Sequence, residues 1–141
     1  GARVSDPLLS RVVRTLTRPI QKSARQRARL HLCDWLACVA GARTSEAAGV
    51  AARISPSGWE RSAYLGNVLE MDDVHRTSLL HPGPVVWPVA LSVPGAEMDE
   101  VLDAAIRGYE AMIAIGAAFD AHHYARWRLW CGGGDRIAVG L

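Results

Sequence analysis

Between Leu69 and Pro84 the chain reads LEMDDVHRTSLLHPGP, with three carboxylates (Glu70, Asp72, Asp73), two imidazoles (His75, His81) and a Pro-Gly-Pro turn. An imidazole titrates near neutrality, so His81, at the head of the turn, is the natural general acid or base. A carboxylate can orient such a ring or position a substrate beside it. His81, Glu70 and Asp73 are therefore the candidate catalytic residues, and Asp72 and His75 the candidate substrate contacts. Their chemistry would be proton transfer at a small acid. If the stretch is helical, Glu70 and Asp73 share a face and Asp72 is rotated away. The competing structural reading is a charged helix end followed by a loop. Asp, Glu and His in this order do not specify a metal site, and no metal is expected. Gly132-Gly133-Gly134 lacks the lysine and preceding strand of a phosphate loop and reads as a flexible tail.

The elements that must position these residues read as helices throughout. Asp6-Pro7 is a helix start, Leu8, Leu9, Val12, Val13 and Leu16 recur at helical spacing, and Pro19 should end the run. A longer helix is expected over 21–40, with Ala24, Ala28, Leu32, Trp35, Leu36 and Val39 as its apolar stripe. Gly41 would follow its C-terminus, and Asp34 lies near the stripe. Thr44 or Ser45 should cap a third helix from Glu46 to Ile54. Trp59 to Asp72 reads as a fourth, delivering the acidic cluster at its C-terminal end. Val85 to Val93 has strand-like composition, but Pro88 in its middle favours a buried helix starting at Pro84 or Val85. From Ala96 to Ala121 acids load the first turns, and Val101, Leu102, Ala105, Ile106, Tyr109, Met112, Ile113 and Gly116 line one face. The fold class expected is all-α, a helical bundle over residues 1–125. Residues 126–141, rich in Trp and Gly, form an atypical tail.

The 141 residues suit one domain with a real core, half of them are hydrophobic, and no apolar run is long enough to span a bilayer. Three cysteines without metal spacing, two of them in a helical pattern, point to a reducing, cytoplasmic setting. Net charge is +2, but Arg3, Arg11, Arg14, Arg18, Lys22, Arg25, Arg27 and Arg29 gather at the start against Asp6 alone. That basic arm is the sole argument for nucleic acid. Without an aromatic platform or a known motif, it reads as the solvated face of amphipathic helices.

Three ordered motifs resemble the MmgE/PrpD family, which includes 2-methylcitrate dehydratase, cis-aconitate decarboxylase and iminodisuccinate epimerase. They are Gly66-Asn67-Val68-Leu69-Glu70-Met71-Asp72-Asp73-Val74-His75 with Ser78-Leu79-Leu80-His81-Pro82-Gly83, then Gly108-Tyr109-Glu110-Ala111-Met112-Ile113-Ala114-Ile115-Gly116, and Leu32-Cys33-Asp34-Trp35-Leu36-Ala37-Cys38-Val39-Ala40-Gly41. The resemblance implies a helical domain, usually homodimeric, acting on di- or tricarboxylates without a required cofactor. It carries the family's site Asp onto Glu70, its Thr onto Val74, which has no hydroxyl, and its His onto His81. Residues 127–134 depart from the pattern, and family enzymes have a second domain that supplies further basic groups. The expectation is a truncated relative, a non-catalytic self-associating module. The alternative is an active dehydratase, decarboxylase or epimerase on a small carboxylate.

Overall fold

The computed structural model describes residues 7–54, 58–78 and 80–118. They form six helices, α1 (Pro7–Thr17), α2 (Lys22–Ala42), α3 (Glu46–Ile54), α4 (Gly58–Asn67), α5 (Gly83–Leu91) and α6 (Met98–Ala117). Strands are absent among the described residues, where the one β-type pairing is an isolated bridge between His75 and Leu80. The all-α expectation holds. Asp6 and the tail at 126–141 lie outside the described residues, as do Cys131, His122 and His123.

The core sits where α2, α5 and α6 meet. Trp35 and Leu32 from α2, Trp87 and Val86 from α5, and Val101, Leu102 and Ala105 from α6 are all buried in one cluster. Trp87 and Leu102 are fully enclosed, and burial of such a side chain contributes about 2–3 kcal/mol. α4 packs across α2 and α5, and α3 rests on α4. The α2–α4 approach depends on Gly66, because a Cβ there would stand 2.2 Å from Trp35 Nε1. α1 adds little to this packing, and its Val12, Val13 and Leu16 are exposed.

Capping chemistry sets several boundaries. Ser45 Oγ accepts the Ala48 amide at 3.2 Å and so caps α3. Glu100 reaches back to the Glu97 amide at 2.9 Å to fix the start of α6. α5 is the buried helix that Pro88 favoured over a strand, with Pro84 in its first turn and Pro88 inside it.

Four local expectations are corrected. Gly41 lies inside α2, which runs on to Ala42 and ends at Arg43 in a helical conformation. Leu36 is 48% exposed and its place in the stripe is taken by Cys38. Asp34 and Cys33 face solvent. The largest correction concerns the acidic cluster, since α4 stops at Asn67, and Glu70, Asp72 and Asp73 follow it in a loop.

Candidate functional site

The loop leaving α4 turns sharply, with the Glu70 amide bonded to the Asn67 carbonyl at 2.8 Å and Glu70 itself at φ 54°. No helical phase relates the three acids, so the shared face expected for Glu70 and Asp73 does not exist. Glu70 is exposed, whereas the neighbours Asp72 and Asp73 are directed to different parts of the bundle.

Asp72 turns toward α4 and α5. Its side chain is 1% exposed, His81 Nδ1 lies 2.9 Å from its Oδ2, and Asn67 Nδ2–H donates to its Oδ1 at 3.2 Å. A carboxylate accepts, so this pair places the ring proton of His81 on Nδ1. A buried carboxylate that fixes the tautomer and aim of a histidine is the second half of a general acid–base unit. The carboxylate on His81 is thus Asp72, expected as a substrate contact, and neither Glu70 nor Asp73, expected to orient the ring. His81 lines an open groove of about 540 Å³ between α4 and α5, together with Trp59, Glu60, Ala63, Tyr64, Asn67, Val68, Pro84, Val85, Pro88, Val89 and Ser92.

Asp73 turns toward α2 and α6. Its Oδ2 accepts the Tyr109 hydroxyl at 2.6 Å and His31 Nδ1–H at 2.9 Å, and its Oδ1 accepts the Gly83 amide at 2.9 Å. Trp87 Nε1–H donates in turn to the Tyr109 oxygen at 3.0 Å, so the chain of bonds runs from the core to the loop. Gly83 is required here, since a Cβ would stand 2.8 Å from Asp73 Oδ1. Burial, and then the bond to Asp73, push the Tyr109 phenol far above its ordinary value. His31, Asp73 and Tyr109 line a second cleft of about 310 Å³, with Arg27, Trp87, Ile106 and Ile113 among its other walls.

His75 holds the loop together. Its amide and carbonyl pair with Leu80, its Nδ1 accepts the Ser78 amide at 3.3 Å, and Ser78 Oγ–H donates to the Ile113 carbonyl at 3.0 Å. It also lines the cleft. The structure therefore brings together His81 with Asp72, and Asp73 with His31 and Tyr109, and leaves Glu70 at the surface. Sequence reasoning misses His31 altogether. The available signal is its place three residues after Ala28, at the edge of the α2 stripe. Periodicity takes Tyr109 for an apolar position, although a tyrosine on a buried face needs a partner for its hydroxyl.

Three arginines of the basic arm are paired with acids of α6. Arg25 holds Asp103 with two bonds at 2.6 and 2.7 Å, Arg29 reaches Asp99 at 3.1 Å, and Arg18 pairs with Glu110. Among the described residues no three His, Cys, Asp or Glu side chains are grouped to hold a metal ion, and no helix is long and apolar enough to cross a membrane. Searches against family models, curated proteins and solved structures found no match.

Proposed function

We propose that this chain is a self-associating helical module of MmgE/PrpD descent, working in the cytoplasm, whose α4/α5 groove is closed by a second copy. The observation that carries the reading is the groove's lining. Trp59, Tyr64 and Val89 are 43%, 50% and 67% exposed along it. Among the described residues that line it, Glu60 and His81 are the ionisable ones, and none is an arginine or lysine. Projecting aromatics beside an apolar recess give a second copy, related by a twofold axis, both a knob and a hole to pack against. The same lining argues against catalysis by one copy on a di- or tricarboxylate, because such an anion needs cations at its site.

A second reading is favoured by the Asp72–His81 pair. Its geometry is that of a poised acid–base unit, and a second copy or another polypeptide would supply the missing cations. The chain would then be a dehydratase, decarboxylase or epimerase on a small carboxylate.

Light scattering on the intact chain tests the first reading, with the same sample then titrated calorimetrically with citrate, methylcitrate and cis-aconitate. A dimeric mass that falls to the monomer in Val89→Asp, with no heat from the three acids, is the expected result. A monomer at tens of micromolar or above ends the self-association reading. Saturable binding of one acid, lost in His81→Ala, would put the enzyme reading in its place.

A further inference from the structure

The cleft between α2 and α6 shares no lining residue with the groove, so the two are separate places on the surface. Ala24 and Ala28 make it a recess, because two small side chains on consecutive turns of α2 leave room opposite Ile106 and Ile113 of α6. At about 310 Å³ it is at the low end of small-molecule sites, which run to roughly 300–1,000 Å³. Its walls are mainly apolar, with Arg27 and His31 on α2 and Glu110 on α6 among its polar groups.

Those polar groups are unequally committed. Arg18, Arg25 and Arg29 are each paired with an acid of α6. Arg27 lies between the last two in sequence and four residues before His31, so the two share a face of α2. Arg27 lines the cleft and has no carboxylate partner among the described residues. Glu110, the acid on the rim, is engaged by Arg18, and both oxygens of Asp73 are occupied by donors. His31 uses Nδ1 on Asp73, and its Nε2 has no partner among the described residues. The uncommitted charge at this cleft is therefore positive.

We propose that the α2/α6 cleft binds a small monocarboxylate with an apolar body, its carboxylate held by Arg27 and its body against Ala28, Ile106 and Ile113. Arginine suits the head group because its planar fork meets a carboxylate with two parallel bonds. One charge is the limit. A second carboxylate would be desolvated against alanine and isoleucine with no partner.

The test is a titration of the intact chain with benzoate and with octanoate, followed by amide chemical shifts and by calorimetry, with citrate and benzylamine as comparison ligands. Saturable binding of benzoate or octanoate is expected, with shifts centred on 24–31 and 106–113. Arg27→Gln, a change at an exposed position, should weaken it about tenfold, the scale of one charge-assisted hydrogen bond. Ile113→Trp, which fills the recess, should abolish it, and Arg53→Gln on exposed α3 should leave it unchanged. Circular dichroism establishes that each variant keeps its helices, and Arg27→Gln alone decides the matter if Ile113→Trp does not. No binding, equal or tighter binding of citrate or benzylamine, or an unchanged affinity in Arg27→Gln overturns the proposal.

Discussion

Three donors converge on the Asp73 carboxylate, and Tyr109 is the one whose loss would be felt on both sides. Its oxygen accepts from Trp87 while its proton goes to Asp73, so Tyr109→Phe strips partners from a buried indole and a largely buried acid at once. The expected cost near neutral pH is about 1–3 kcal/mol, the penalty for leaving such groups unsatisfied. The phenol is held neutral because its folded pKa is raised. Its contribution is complete below the ordinary tyrosine value near 10 and is lost as pH rises above it. Urea denaturation followed by tryptophan fluorescence should show wild-type stability falling between about pH 9 and 11, and a shallower fall in Tyr109→Phe. Parallel pH profiles would remove Tyr109 from the account. In the sequence, Tyr109 is visible only as one more apolar position on α6, since a helical period records where a side chain points and says nothing of its hydroxyl. Cys38, by contrast, behaves as its helical pattern implies. It is buried, burial raises its thiol, and it acts as a small hydrophobe.

Helix periodicity carries most of the elements, because α2 and α6 each keep an apolar stripe over many turns and α3 and α6 carry readable N-terminal caps. It fails at the end of α4. Val68-Leu69-Glu70-Met71 has ordinary helical propensity, and nothing local demands a stop. What ends the helix is tertiary, the pull of Asp72 toward His81 and of Asp73 toward Tyr109. Propensity terms of a few tenths of a kcal/mol per residue lose to hydrogen bonds on buried carboxylates. Between α2 and α6 the dominant polar link is the forked bond from Arg25 to Asp103, which holds that carboxyl below its usual range. A depressed carboxylate contributes stability above the ordinary carboxylate range and loses it as pH falls through the folded value. Both groups meet solvent, so the effect should be modest and weakened by salt. The melting temperature of wild type should drop between about pH 5 and 3, and Asp103→Asn should start lower and drop less. Identical slopes would mean that the pair is energetically silent.

For the molecule as a whole, many apolar side chains of the described residues meet solvent. Besides the groove, α1 presents Val12, Val13 and Leu16 to solvent, and Leu30, Ile54 and Met71 are more than two-thirds exposed. Association that covers such surface stabilises the folded chain by mass action. The melting temperature should therefore rise with protein concentration over the micromolar range and become independent of it in Val89→Asp. A concentration-independent wild type would count against self-association even if large particles were seen. The basic opening segment belongs to this scale too, since Arg18, Arg25 and Arg29 serve the contact with α6.

Asp72 and Asp73, adjacent in the chain, send their carboxylates to different helices. Only one peptide unit separates the histidine pair of the groove from the polar hub of the cleft. An insertion or deletion between Asn67 and Asp72 would shift both carboxylates together. Across evolutionary time this loop should exchange residues freely at exposed Met71, and at Glu70, held at φ 54°, should favour glycine, asparagine and other residues that tolerate a left-handed backbone.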